Sequence, residues 1–229
     1  VICQASYHQL MSRNITQLKR ALTPEQTSDR RDTLLVTAKI LFMDAGYEGF
    51  SMGLLSKRAG VAKGTLYLYF GTKEEVLLSL YSLELERFCS ELTAGISSVM
   101  TDAEFISRIY ETSVSDPLFL ALHARLGTVI EQNISVDALI ISKRAMAKQF
   151  HAMVNQLSGP LNLNSEQTLS ALSGISALLT GSFDGASGQA FEGENIPEDV
   201  ASFMGHFDLK TRFEKSAGYI LQGIRASRC

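Results

Sequence analysis

The residues at positions 63 to 70 combine side chains that can bind a polyanion with side chains that can fill a core. In order they are Lys63, Gly64, Thr65, Leu66, Tyr67, Leu68, Tyr69 and Phe70. The ammonium group and the hydroxyls can donate hydrogen bonds to phosphate oxygens or to the edges of bases. Closely spaced aromatic rings are also typical of a buried core, so the geometry of the segment has to separate the two interpretations.

A helical wheel at about 100° per residue separates them. The core-facing side holds Leu66 and Phe70. The outward side and its two flanks hold Gly64, Thr65, Tyr67, Leu68 and Tyr69. We therefore predict a short helix from about Gly64 to Phe70 in which only one of the three rings belongs to the core.

Such a helix suits the major groove of DNA, which is about 12 Å wide and admits one helix. Tyr67 and Tyr69, on opposite flanks, can donate hydrogen bonds to the two phosphate walls. Lys63, Gly64 and Thr65 can meet base edges, and the outward-facing residue at position 68, a leucine, can contact a thymine methyl group.

The residues on either side complete a helix-turn-helix. Ser51 is a good N-cap for a preceding helix that ends at Gly60, and the positive end of that helix can bind a phosphate. Thr72 and Glu75 form a predicted capping box at the start of the next helix. Lys73, in its first turn, is a further candidate for phosphate binding.

The segment GYEGFSMGLLSKRAGVAKGTLYLYFGTKEEVLLSLY, residues 46–81, resembles the DNA-binding domain of the tetracycline-repressor (TetR) family of bacterial transcriptional regulators. The resemblance implies a homodimeric repressor that a small-molecule effector releases from a palindromic, double-stranded DNA operator. It also implies base contacts from positions like Lys63, Gly64 and Thr65. The phosphate contacts that it implies come from positions like Ser51, Tyr67, Tyr69 and Lys73.

Two positions depart from the family pattern. Ala62 stands where the family often has Ser or Thr, and an alanine N-cap costs about 1 kcal/mol. Leu68 stands where many members carry His. The operator sequence therefore cannot be taken from relatives.

The periodicity of the rest of the chain predicts an all-α protein. Helices are expected at 29–45, 51–59, 72–98, 102–114, 117–131, 136–157, 165–188 and 211–226. The expected organisation is an N-terminal extension or arm at 1–28, a helix-turn-helix domain at 29–80 and a helical effector-binding and dimerisation domain at 81–229. Gly46 is the predicted end of the first helix.

Composition and charge agree with this organisation. The net charge is −3, but residues 1–73 carry ten Lys and Arg against five Asp and Glu, as expected of a nucleic-acid-binding segment. The three scattered cysteines favour a reduced compartment. With no predicted membrane span or signal peptide, the expected location is the cytoplasm.

No enzyme motif is present, and the Gly-rich stretch at 181–188 lacks the Lys-Ser/Thr ending of a phosphate loop. No metal site or cofactor is predicted, because helical spacing joins none of the four histidines. The competing hypothesis is a helical dimer that keeps the fold without sequence-specific DNA binding. Steep salt dependence of duplex binding would separate the two.

Two helices near the C-terminus are predicted to form the dimer interface. One of them carries a stripe of small residues, and glycine inside a helix costs about 1 kcal/mol against alanine, so close approach of another helix explains the stripe. The residues assigned to the interface are Gly174, Ala177, Gly181, Gly185, Phe213, Ala217, Ile220 and Ile224. The alternatives are that the small face packs within the subunit, or that the helix frays after Phe183 into a Gly-rich loop.

An effector pocket is predicted between residues 105 and 183, where bulky apolar residues alternate with a few polar ones. The candidates are Phe105, Tyr110, Phe119, Leu122, His123, Arg125, Met146, Phe150, His151, Met153, Leu179 and Phe183. A plain hydrophobic core is the alternative for the methionines and phenylalanines.

Overall fold

The computed structural model describes residues 24–96, 98–182, 197–200 and 209–227. These residues are predominantly helical and include no strand, so the all-α prediction is confirmed. The predicted arm, as far as residue 23, lies outside the described residues, as do Phe183 and Gly185.

The helices are α1 (Pro24–Gly49), α2 (Met52–Ala59), α3 (Lys63–Tyr67), α4 (Lys73–Thr93), α5 (Asp102–Val114), α6 (Pro117–His123), α7 (Val136–Leu161), α8 (Ser165–Ser182) and α9 (Leu209–Ala226). A π-helical turn (Leu126–Ile130) and a 3-10 turn (Glu131–Asn133) lie between α6 and α7. They replace the continuous helix predicted at 117–131, within which Gly127 is a weak helix former.

The described residues fall into two compact units, one within 1–80 and 129–138 and the other within 81–128 and 139–229. In the first unit, α1 packs against α2, and α2 packs against α3. Its core consists of aliphatic and aromatic side chains, among them Leu34, Leu41, Phe50, Leu55, Leu66, Phe70, Val76 and Ile130.

Arg31 connects three parts of this unit. Its guanidinium carbon lies 5.1 Å from the ring centroid of Phe70, and its Nη2 donates a hydrogen bond to Oγ of Ser79 at 2.8 Å. The core-facing ring after α3 is thereby held by α1 and α4.

The second unit is a helical bundle in which α9 packs against α8 and α5. Arg225, near the end of α9, makes a bidentate ion pair with Asp102 at the start of α5, with N–O distances of 2.6 to 3.2 Å. Arg108 donates to the carbonyls of Leu92, Glu91 and Ala94. These bonds cap α4 at Thr93, five residues before the predicted end at Ser98.

Candidate nucleic-acid interface and effector cavity

The helix-turn-helix begins with a well-formed cap. The hydroxyl of Ser51 accepts a hydrogen bond from the amide of Leu54 at 3.2 Å, which confirms it as the N-cap of α2. Ser51 is exposed, so its hydroxyl and the positive end of α2 are available to an anion.

The turn after α2 is a Schellman motif. Gly60 has φ 67° and ψ 29°, and its amide donates to the carbonyl of Lys57 at 3.3 Å. The amide of Val61 donates to the carbonyl of Ser56 at 3.0 Å. The left-handed conformation favours glycine and turns the chain sharply into α3.

Helix α3 is shorter than predicted, because it ends at Tyr67 instead of Phe70. The amides of Leu68 and Tyr69 bond to carbonyls three residues back, at 3.2 and 3.0 Å, which tightens the last turn into 3-10 geometry. Ala62 provides no side-chain cap, as expected.

The two sides of the segment nevertheless differ as the wheel predicts. Leu66 is fully buried and Phe70 is 2% exposed, whereas Leu68 is 84% and Tyr67 46% exposed. The remaining outward residues are Lys63 and Gly64, which are exposed, and Thr65 and Tyr69, which are half-buried. The side chain of Leu68 therefore takes almost no part in the core of its unit.

Lys73 does not extend freely into solvent. It is half-buried, and its Nζ lies 3.9 Å from the ring centroid of Tyr47. Lys63 makes a looser contact of the same kind, 5.9 Å from the ring of Tyr67. Sequence reasoning missed Tyr47 because the contact joins residues 26 positions apart.

The capping box before α4 is only half formed. The amide of Glu75 donates to Oγ1 of Thr72 at 3.1 Å, as predicted. The Glu75 carboxylate, however, accepts from the amide of Gly71 at 2.7 Å instead of that of Thr72. The effect is similar, since both bonds hold the chain between Phe70 and Lys73.

The second unit contains an apolar cavity of about 30 Å³. Its lining includes five predicted residues: Phe119, His123, Phe150, Met153 and Leu179. Sequence reasoning missed the rest, which are Tyr81, Leu85, Phe88, Ile109, Leu172, Ile175 and Ser176. The spacing of positions 81, 85 and 88 on one helical face is the signal that could have found the α4 wall.

The other predicted pocket residues do not line this cavity. Phe105 and Leu122 are fully buried elsewhere, and Tyr110 packs 5.6 Å from the ring of Phe213. Arg125, Met146 and His151 are also absent from the lining; Arg125 and His151 are exposed and Met146 is half-buried. Helix periodicity identifies apolar and polar positions but not the neighbour that each one faces, so it groups these residues with the ones that line the cavity.

His123 is the polar centre of the cavity. Its Nδ1 lies 3.0 Å from the hydroxyl of Tyr81, and its Nε2 lies 3.3 Å from both the hydroxyl and the carbonyl oxygen of Ser176. Burial lowers the pKa of His123, and the hydrogen bond with the Ser176 backbone opposes that shift. A neutral imidazole in an aromatic wall can orient a polar group of an otherwise apolar ligand.

The predicted dimer stripe divides into buried and accessible parts. Phe213 and Ala217 are fully buried within the subunit, so their assignment to an intersubunit surface is wrong. A Cβ added to Gly174 would lie 3.2 Å from Cγ2 of Ile220, which shows that this pair packs within the subunit. The accessible remainder of the predicted set is Ala177 and Gly181, which are exposed, and the half-buried Ile224.

The all-α fold with its helix-turn-helix is that of a DNA-binding regulator, and two family models match the chain. Residues 34–80 match the model described as bacterial regulatory proteins, tetR family. Residues 82–228 match the model described as tetracyclin repressor-like, C-terminal domain. The chain belongs to the tetracycline-repressor family of transcriptional regulators, and its relatives are regulators and not enzymes.

Similar proteins include the transcriptional activator FasR of Mycolicibacterium smegmatis, with 36% identity over 72 residues, 31% of each protein. The fatty acid metabolism regulator protein of Bacillus subtilis is 34% identical over 64 residues, 28% of this chain and 33% of that protein. The repressor KstR of Rhodococcus jostii is 38% identical over 69 residues, 30% of this chain and 32% of that protein. The chain thus spans about a third of the length of these curated relatives.

Solved structures share the fold over most of the chain. TetR from Acinetobacter baumannii has a TM-score of 0.57 at 14% identity and covers 90% of this chain and 97% of its own. A TetR regulator from Rhodococcus sp. RHA1 has a TM-score of 0.55 at 18% identity, covering 86% and 97%. Within the described residues, no helix is both long enough and apolar enough to span a bilayer.

Proposed function

We propose that this protein is a homodimeric repressor that binds a palindromic DNA operator and leaves it when a small molecule binds the C-terminal unit. The observation that carries the DNA-binding part is the division of residues 63–70 into a buried anchor and an exposed face. Leu66 and Phe70 fix the segment to its unit, while Leu68 and Tyr67 are exposed beside Lys63. At 84% exposure, Leu68 is accessible to a thymine methyl group in the major groove.

The proposed division of labour follows from side-chain chemistry. Lys63, Gly64 and Thr65 contact base edges at the start of α3, and Leu68 contacts a thymine methyl group. The phosphate contacts come from Ser51, Tyr67, Tyr69 and Lys73. We also propose residues 29–80 as the DNA-binding domain and 81–229 as the effector-binding and dimerisation domain, acting in the cytoplasm.

The effector is proposed to enter the cavity around His123. At about 30 Å³ the cavity holds little more than a water molecule, so any effector must displace side chains to bind. Binding would thereby favour a widened conformation over the one described, which is how a ligand changes the population of a second state. Since the lining is apolar and a similar protein is named for fatty acid metabolism, fatty acids of graded chain length are the first effectors to test.

The experiment is a selection from randomised duplexes with the purified protein at two salt concentrations, repeated with each candidate effector. Repressor function predicts enrichment of a palindrome, affinity that falls steeply with salt, and release by at least one effector. If no duplex binds in a salt-sensitive way, the DNA-binding proposal is wrong. The competing hypothesis of a helical dimer without sequence-specific DNA binding then takes its place.

A further inference from the structure

The first turn of α4 holds the ring of Tyr47 at two points. Nζ of Lys73 lies 3.9 Å from the ring centroid and 3.5 Å from the carbonyl oxygen of the same tyrosine. The Tyr47 hydroxyl donates a hydrogen bond to Oε1 of Glu74 at 2.8 Å. Two consecutive residues of α4 therefore fix the face and the hydroxyl end of one ring.

The backbone before the ring is equally constrained. Gly46 has φ 64° and ψ −173°, a conformation essentially limited to glycine, and it interrupts the helical geometry of α1 just before Tyr47. The carbonyl of Tyr47 also accepts from the amide of Phe50 at 3.3 Å, and Glu74 is only 8% exposed. The ring therefore has a defined position and is not a loosely attached surface group.

A lysine that binds a phosphate loses the freedom of a long side chain, and that loss weakens the contact. An ammonium group on a ring face is held by the negative charge of the π system and has already lost part of this freedom. Lys73 is also still partly exposed and therefore accessible. We propose that Tyr47 is a positioning residue for DNA binding, which holds Lys73 where it meets a phosphate; this rests on the proposed function.

The test measures duplex affinity across a salt series for the full chain, Tyr47→Leu, Lys73→Ala and the double variant. Tyr47→Leu should weaken binding to each half-site about two- to tenfold, the cost of immobilising one long side chain on binding. It should leave the salt slope near that of the parent protein, because Lys73 still reaches the phosphate. Lys73→Ala should instead reduce the magnitude of the slope by about 0.9 for each half-site, or about 1.8 for a dimer on the palindrome. Adding Tyr47→Leu to Lys73→Ala should change nothing further.

Two different failures can be told apart. If Tyr47→Leu weakens binding by the same factor with and without Lys73, the ring acts through the fold and the positioning proposal is overturned. If the parent protein shows no salt-sensitive duplex binding, the proposed function itself fails.

A second series of variants at position 47 tests the same proposal without relying on the folding of Tyr47→Leu. Tyr47→Phe and its mono-, di- and trifluorinated forms keep the ring shape while progressively withdrawing charge from its face. Duplex affinity should fall stepwise along the series, and the same series with Lys73→Ala should be flat. A flat series in the presence of Lys73 would overturn the proposal.

Discussion

Thr65 and Lys73 are proposed to contact different parts of DNA, and single substitutions should separate them. Thr65→Ala removes a group assigned to a base edge, so the preference at one base pair should fall by about 1 kcal/mol while the salt slope is kept. Lys73→Ala should weaken binding to all duplexes by a similar factor. Selection with each variant measures both effects, and equal, sequence-blind losses would contradict the assignment of Thr65.

His123 should make the stability of the protein depend on pH. Burial lowers its pKa, so below the ordinary histidine pKa the unfolded chain binds a proton that the folded chain does not. The contribution is fully present above about pH 6.5 and is lost as the pH falls from there towards the lowered pKa.

We therefore expect the parent protein to lose more stability between pH 7.5 and pH 5.5 than His123→Gln, measured by urea unfolding. His151→Gln, which removes an exposed imidazole on α7, is the matched control. Equal losses in the parent protein and His123→Gln would show that other groups cause the dependence.

At the scale of the element, the turn between α2 and α3 depends on one backbone conformation. Gly60→Ala should destabilise the protein by about 1 kcal/mol, because alanine is strained at φ 67°. Gly53 is the control: it lies within α2, and a Cβ there meets nothing within 4 Å in the described part of the chain, so Gly53→Ala should stabilise by about 0.5 kcal/mol. Chemical denaturation of both variants checks the opposite signs.

Elements whose ends depend on nearby residues could be predicted from the sequence. The Ser51 cap, the interruption at Gly46 and the burial of Leu66 and Phe70 each follow from a few neighbouring positions. The early end of α4 could not be predicted in this way, because the capping guanidinium of Arg108 comes from the following helix.

The cavity was even harder to predict, because its residues come from distant parts of the sequence. His123 was a candidate, but its partners Tyr81 and Ser176 lie 42 and 53 positions away in the sequence. Periodicity likewise placed Phe213 and Ala217 on one stripe of α9 without indicating that the stripe faces the interior. The lining of the cavity and the direction of the α9 stripe both depend on tertiary neighbours. The pattern of a single sequence does not identify those neighbours residue by residue.

At the scale of the whole molecule, dimerisation is the remaining proposal. The burial of Phe213 and Ala217 within the subunit leaves fewer of the predicted residues that can contact a second subunit. A palindromic operator requires a two-fold symmetric protein, so a patch must pair with its own copy. Ala177 and Gly181 are the exposed small residues of the predicted stripe on α8, and small side chains let two helices approach closely.

Gly181→Leu should shift the protein from dimer towards monomer, because a Cβ at this position meets nothing within 4 Å among the described residues of the subunit and would project into the partner helix. The subunit itself should stay folded, since leucine is a better helix former than glycine by nearly 1 kcal/mol. Gly53→Leu is the control for mass and helix content, at another exposed helical glycine, on α2 outside the proposed face; a Cβ there meets nothing within 4 Å among the described residues. Sedimentation equilibrium gives the mass, and circular dichroism gives the helix content of each variant.

The loss of the dimer should also change DNA binding. The monomeric Gly181→Leu variant should lose affinity for the full palindrome far more than for a half-site, because each half-site then binds one monomer independently. An unchanged dimer from Gly181→Leu would place the interface on another surface.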